Sequence, residues 1–130
     1  MTPLFKKLNL GKHEVVHVLN APASFEAELG ALSGVTVKRT LSGGTEFALA
    51  FVIAQAELDS VSSKLARAAK GDAVLWMAYP KGTSKKYKCE FNRDSGWKVL
   101  RREGFDSVRM VAIDEDWSAL RFRRTEHIKQ

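Results

Sequence analysis

Residues 13–17 read HEVVH, and on a helix the spelling H-E-x-x-H sets two zinc ligands and a general base on one face. Helical spacing would hold His13 and His17 one turn apart, each nitrogen about 2.0–2.1 Å from a shared ion. Extended, the same residues stand about 13 Å apart at ~3.3 Å per residue, too far for one ion. The neighbouring residues favour the strand. Val15, Val16 and Val18 are β-branched and stiff at χ1, and the segment is boxed between Gly11 and Pro22. A catalytic zinc also takes a third protein ligand, and the one remaining histidine, His127, lies in the C-terminal tail. The sequence predicts a strand here, with no metal site.

A second chemistry is written in charge. The chain carries a net charge of +6. Between Lys81 and Arg102 lie eight basic residues opposed by Glu90 and Asp94, so the whole excess falls in that segment. Lys81, Ser84, Lys85 and Arg93, with the start of the helix that follows them, are the candidate anion cradle, because guanidinium, ammonium and helix N-termini all favour negative charge. Trp97, beside that loop, is a candidate stacking residue. Asn20, at the end of the first strand, completes the candidate ligand-binding set. The competing reading of the basic stretch is a mobile, solvated loop. Cys89 stands among Lys85, Lys86 and Lys88, which predicts a lowered thiol pKa. No histidine neighbours it in sequence, and no catalytic residue is assigned. Asp114-Glu115-Asp116 reads as a turn begun by aspartate. Trp76 reads as core, and Trp117 as packing over the C-terminal hairpin.

The elements that must position these residues follow from spacing. Thr2 and Pro3 suit the start of a short helix. Ser24 is placed to cap a helix carrying Phe25, Leu29 and Leu32, and Val35–Val37 form a short second strand. Residues 47–53 and 73–79 are continuous apolar runs, as in strands covered on both faces. Between them Leu58, Val61, Leu65 and Ala68 share one helical face, with Gly71 beyond the last turn. Asp94 or Ser95 starts a third helix through Trp97 and Leu100, ended by Gly104. Residues 108–124 read as two strands about the acidic turn. Strands alternating with helices predict a three-layer α/β domain: a mostly parallel Rossmann-like sheet, helices on both faces, and a C-terminal antiparallel hairpin.

The 130 residues match one domain, with a core over about 10–125. A lone cysteine cannot form an intrachain disulfide. The N-terminus lacks the apolar core of a secretory signal, and the longest apolar run, 47–56, is about half a membrane span. Both point to a cytoplasmic protein without membrane contact.

LNAP after the first strand, WMAYPK and above all DEDWSALRF resemble a family of small bacterial domains of unknown function, over about residues 8–125. Their architecture is similar to that of the class I S-adenosylmethionine-dependent methyltransferases. The resemblance implies a glycine-rich loop after the first strand and an acidic residue ending the second. This chain has Asn20-Ala21-Pro22-Ala23-Ser24 and Lys38-Arg39 at those places. On those two departures no cofactor is expected, neither S-adenosylmethionine nor NADP.

The function expected is that of a non-catalytic binding or regulatory module whose segment 81–102 contacts an anionic small molecule or an acidic protein, with non-specific nucleic-acid contact as a further consequence of the charge. The alternative is a small enzyme acting on an anionic metabolite at the strand ends, Lys81 and Arg93 clamping it and Asp94 or Asp114 as base.

Overall fold

A computed structural model describes residues 2–128. Five helices or helical turns of use here are α1 (Pro3–Lys7), a 3₁₀ turn (Ala23–Phe25) running into α2 (Glu26–Gly30), α3 (Gln55–Ala68) and α4 (Lys98–Arg102). Six strands, β1 (Val15–Leu19), β2 (Thr36–Lys38), β3 (Thr45–Phe51), β4 (Ala69–Pro80), β5 (Phe105–Ala112) and β6 (Trp117–Arg124), form one sheet in the order β2-β1-β3-β4-β6-β5. The first four are mutually parallel, and β6 runs antiparallel to both β4 and β5. The three-layer α/β reading therefore holds, with β6 as the single reversed strand.

HEVVH does not coil. His13 precedes the sheet, and β1 begins at Val15 with the β-branched side chains the pleat favours. His17 is buried within it, its Nδ1 2.8 Å from the Thr40 carbonyl. The helical face a two-histidine zinc motif needs is not formed.

Both apolar runs are central strands. Every residue of β4 from Ala73 to Pro80 is buried, because helices lie on both faces of the sheet. One face gathers Phe5 of α1 and Leu8 at its C-cap with Phe25, Phe47, Phe51 and Trp76. The other packs Leu58, Val61 and Leu65 of α3 against Leu75, Met77, Trp97 and Phe122. Trp76 is fully buried, and its indole N–H donates to the Leu8 carbonyl at 2.8 Å, satisfying the one polar atom that burial would strand.

Three local expectations differ. Ser24 makes no cap, since it lies inside a 3₁₀ turn that begins at Ala23 with Pro22 at its N-cap. Gly71 is not a helix terminator: α3 passes through an extended Ala69 directly into β4, and Gly71 sits inside that strand at φ 57°. The third helix is one turn, Lys98–Arg102, with Trp97 at its N-terminus. By contrast Thr2 caps α1 as expected, its hydroxyl accepting from Phe5 N–H at 3.1 Å. No helix among the described residues is long and apolar enough to cross a membrane.

Candidate functional site

The segment from Lys81 to Trp97 leaves the carboxyl end of β4, where open α/β sheets keep their ligand crevices. It is polar in sequence yet tied to the scaffold at several points. The Ser84 hydroxyl donates to the Asp116 carboxylate at 2.8 Å and accepts from the N–H groups of Lys86 and Tyr87, both at 3.2 Å. Lys81 N–H donates to the Asp116 carbonyl at 2.8 Å, so the loop is buttoned to the acidic turn of the hairpin. At its far end Glu90 N–H reaches the Ile53 carbonyl at 3.1 Å, while the Glu90 carboxylate accepts from Gln55 N–H at 2.9 Å. Gln55 Nε2 donates to the Gly96 carbonyl at 2.8 Å. Backbone groups satisfied this way are held, so the picture of a loosely solvated loop gives way to a shaped wall.

Between that wall and the hairpin lies an open cleft of about 900 Å³. Lys81, Ser84, Lys85 and Arg93 all line it. The structure adds Tyr79, which the sequence reading placed only as a strand end. Its hydroxyl donates toward the Met110 sulfur at 3.6 Å, and burial raises its pKa, with Arg93 nearby pulling the other way. A neutral phenol among cations adds no negative charge to oppose an anionic guest. Ser84, by contrast, spends its hydroxyl on the loop, so its place in the site is to shape it.

Two candidates lie elsewhere. Trp97 is 2% exposed, wedged among Tyr79, Phe91 and Phe122 at ring-centroid distances of 5.6, 5.3 and 5.0 Å, and its indole N–H donates to the Asn92 carbonyl at 2.8 Å. It forms the floor under the loop. Asn20 stands at the exit of β1 in the left-handed region, φ 58°, with Nδ2 donating to the Phe51 carbonyl at 3.3 Å. Glu26, at the head of α2, grips Arg39 beyond β2 through two bonds of 2.6 and 2.7 Å. This pair is exposed and lowers the Glu26 pKa, chiefly through the hydrogen bond from Arg39.

Cys89 corrects the expectation drawn from its lysine neighbours. It is partly buried, and desolvation outweighs everything else, pushing the thiol pKa up, while backbone hydrogen bonds from Phe91 and Glu90 only partly offset the rise. The lysines point into solvent, where water screens them. We expect Cys89 in the folded protein to alkylate with iodoacetamide at pH 7 several-fold more slowly than a free peptide thiol of ordinary pKa, and the difference to vanish in denaturant. Equal rates in both states would contradict the burial argument.

The acidic turn is a turn, as expected. Asp114 Oδ1 accepts from the N–H groups of Asp116 and Trp117, both at 2.8 Å, the local pattern that makes aspartate a turn initiator. Among the described residues no group of three or more His, Cys, Asp or Glu side chains is placed to hold a metal ion. The sequence reading missed the arginines of β6. Arg121 and Arg123 alternate with Leu120 and Phe122, the pattern of a strand with one wet face, whereas Arg121 is half-buried with its Nε enclosed and unpartnered. The available signal was DEDWSALRF itself, the most distinctive stretch of the chain.

No protein-family model matches the sequence, and no curated protein matches it. Solved structures do match in shape. A SAM-dependent methyltransferase from Aquifex aeolicus superposes with a TM-score of 0.64 at 14% identity, covering 94% of this chain and 88% of that one. A type 11 methyltransferase from Sulfolobus solfataricus gives 0.57 at 9% identity over 98% and 94%. LepI in complex with S-adenosylmethionine gives 0.57 at 12% identity, this chain spanning 39% of its length. These neighbours overturn the expectation of no cofactor, since one is a SAM-dependent methyltransferase and another is solved with S-adenosylmethionine bound. The inference from missing glycines was too strict, because Asn20 adopts the left-handed backbone that glycine would otherwise supply. Six strands with one reversed, helices on both faces and these superpositions together make this a Rossmann-like domain of the methyltransferase fold.

Proposed function

We propose that this chain binds an anionic small molecule in the cleft walled by residues 81–95 and acts on it as a small enzyme, with S-adenosylmethionine as its cofactor. The cleft carries the reading: Lys81, Lys85 and Arg93 line it together with the Tyr79 hydroxyl, at the carboxyl end of a parallel strand. For the cofactor, the β1 exit offers the left-handed Asn20, and α2 offers in Glu26 a carboxylate of the kind that accepts hydrogen bonds from a ribose diol. Arg39 holds that carboxylate through an exposed, water-screened ion pair, which an entering nucleoside can replace. Bound there, the cofactor would supply an electrophilic methyl group, and the cationic cleft would hold and orient the acceptor.

The test has two arms. With citrate as an anionic probe, saturable binding should weaken with rising salt and fall roughly five- to tenfold in Lys85→Gln and again in Arg93→Gln, as expected for charge-assisted contacts in an open site. Binding indifferent to salt or to these substitutions would remove the cleft. With S-adenosylmethionine, calorimetry should give a saturable heat that is lost in Glu26→Gln, and the absence of any heat would remove the cofactor. A second reading, binding without turnover, rests on the stiff Ala21-Pro22 exit of β1. It predicts the citrate result with no conversion of S-adenosylmethionine to S-adenosylhomocysteine in the presence of any bound anion.

A further inference from the structure

The C-terminal hairpin carries a second cationic surface, on the sheet face opposite Tyr79 and Met110. In an antiparallel ladder, directly paired residues project from the same face. Arg121 of β6 pairs with Trp76 of β4 on one side and with Arg109 of β5 on the other. Arg123, two residues on, shares that face. Arg109 gets there by a register shift: Ser107 pairs with Phe122 and Arg109 with Arg121, so Val108 is the extra residue of a β-bulge. Without it Arg109 would project from the other face. A bulge that re-aims a side chain is a built feature, and here it sets two like charges directly opposite each other, an arrangement that destabilises a sheet.

The surrounding carboxylates do not relieve it. Asp72 takes Arg123 in two bonds of 2.8 and 2.6 Å. Asp106, opposite Arg123, already accepts from Arg101 at 2.7 Å and from Ser107 N–H at 2.8 Å. Among the described residues neither Arg109 nor Arg121 has a carboxylate partner. Arg121 Nε is buried without any hydrogen-bond partner at all. Burial, then Arg123, and also Arg109 disfavour the charge on Arg121, and only Asp72 supports it.

We propose that Arg109, Arg121 and Arg123 form an anion-binding site on this face of the hairpin, fitted to a phosphate monoester. Three guanidiniums and the Asp72 carboxylate leave two positive charges, which a dianionic phosphate balances and a single carboxylate does not. The planar guanidinium fork matches phosphate oxygens two at a time, and no carboxylate among the described residues occupies the fork of Arg109 or Arg121. This site shares no residue with the 81–95 cleft, so the two stand or fall separately.

The experiment follows arginine side-chain Nε–H signals by NMR in the full chain while inorganic phosphate is added at constant ionic strength, with chloride as reference. At pH 7.5 the Arg121 signal should shift saturably with phosphate and stay put with chloride. At pH 5.5, where phosphate is mostly monoanionic, the affinity should drop several-fold. Arg121→Met should abolish the phosphate-dependent shifts of the Arg109 and Arg123 signals. Should that variant fail to fold, Arg109→Gln alters an exposed residue and should weaken binding about tenfold. An unmoved Arg121 signal, perturbations confined to residues 81–95, or equal affinity in Arg109→Gln would each overturn the proposal.

Discussion

Trp97→Ala should lower the free energy of unfolding by about 3–5 kcal/mol, the cost of deleting a large, fully packed aromatic. The ring is 2% exposed and touches Tyr79, Phe91 and Phe122, so its removal opens a void between the sheet and the loop that nothing nearby can fill without moving β4. Its N–H also leaves the Asn92 carbonyl without a donor. Urea denaturation would measure the loss. The conservative Trp97→Phe keeps most of the packing and should retain citrate affinity unchanged, because the ring lies beneath the cleft and not in it. A loss of citrate binding in Trp97→Phe with stability intact would make Trp97 a ligand contact and refute the assignment.

Gly96→Ala is the second severe change, at roughly 3 kcal/mol. Gly96 has φ 102°, where a Cβ costs about 1–2 kcal/mol of backbone strain by itself. That Cβ would also stand 2.7 Å from Phe91 Cβ and 2.8 Å from Gln55 Oε1, closer than such atoms approach. Relief means displacing Gln55, which holds the loop by its bond to the Gly96 carbonyl. Gly82→Ala serves as the control on the same loop, since nothing lies within 4 Å of its Cβ position and its backbone is unstrained. It should change stability by no more than about 0.5 kcal/mol. Similar losses in the two variants would mean that the loop is not held at Gly96.

The fold was legible where patterns are long. Continuous apolar runs announce β3 and β4, the i, i+3, i+4 spacing announces α3, and three valines settle HEVVH as a strand. Short elements were not, since a single turn such as α4 has too few residues to show a period, and Gly71 reads equally as a helix end or a bend within a strand. The basic cleft was legible as composition, and Lys81, Lys85 and Arg93 do come together. Its shape was not, because Ser84, Gln55 and Glu90 fix the loop through partners 32, 41 and 35 residues away, and pairings of that range leave no local trace. The thiol of Cys89 failed for the same reason: sequence neighbours suggest charge, and burial decides. The arginines of β6 look like an ordinary wet face until the bulge on the neighbouring strand is known.

That one additional residue at Val108 carries a consequence for how copies of the chain behave together. β5 forms an outer margin of the sheet, eight residues long, with Val108 and Met110 40% and 45% exposed. A straight margin of that length and greasiness invites a second molecule to add its own strand and begin a fibre. The kink interrupts the row of free amides midway and thrusts a cation beside it, while the opposite margin, β2, is only three residues long. Straightening β5 by deleting Val108 should therefore raise the tendency of copies to adhere, seen as increased light scattering.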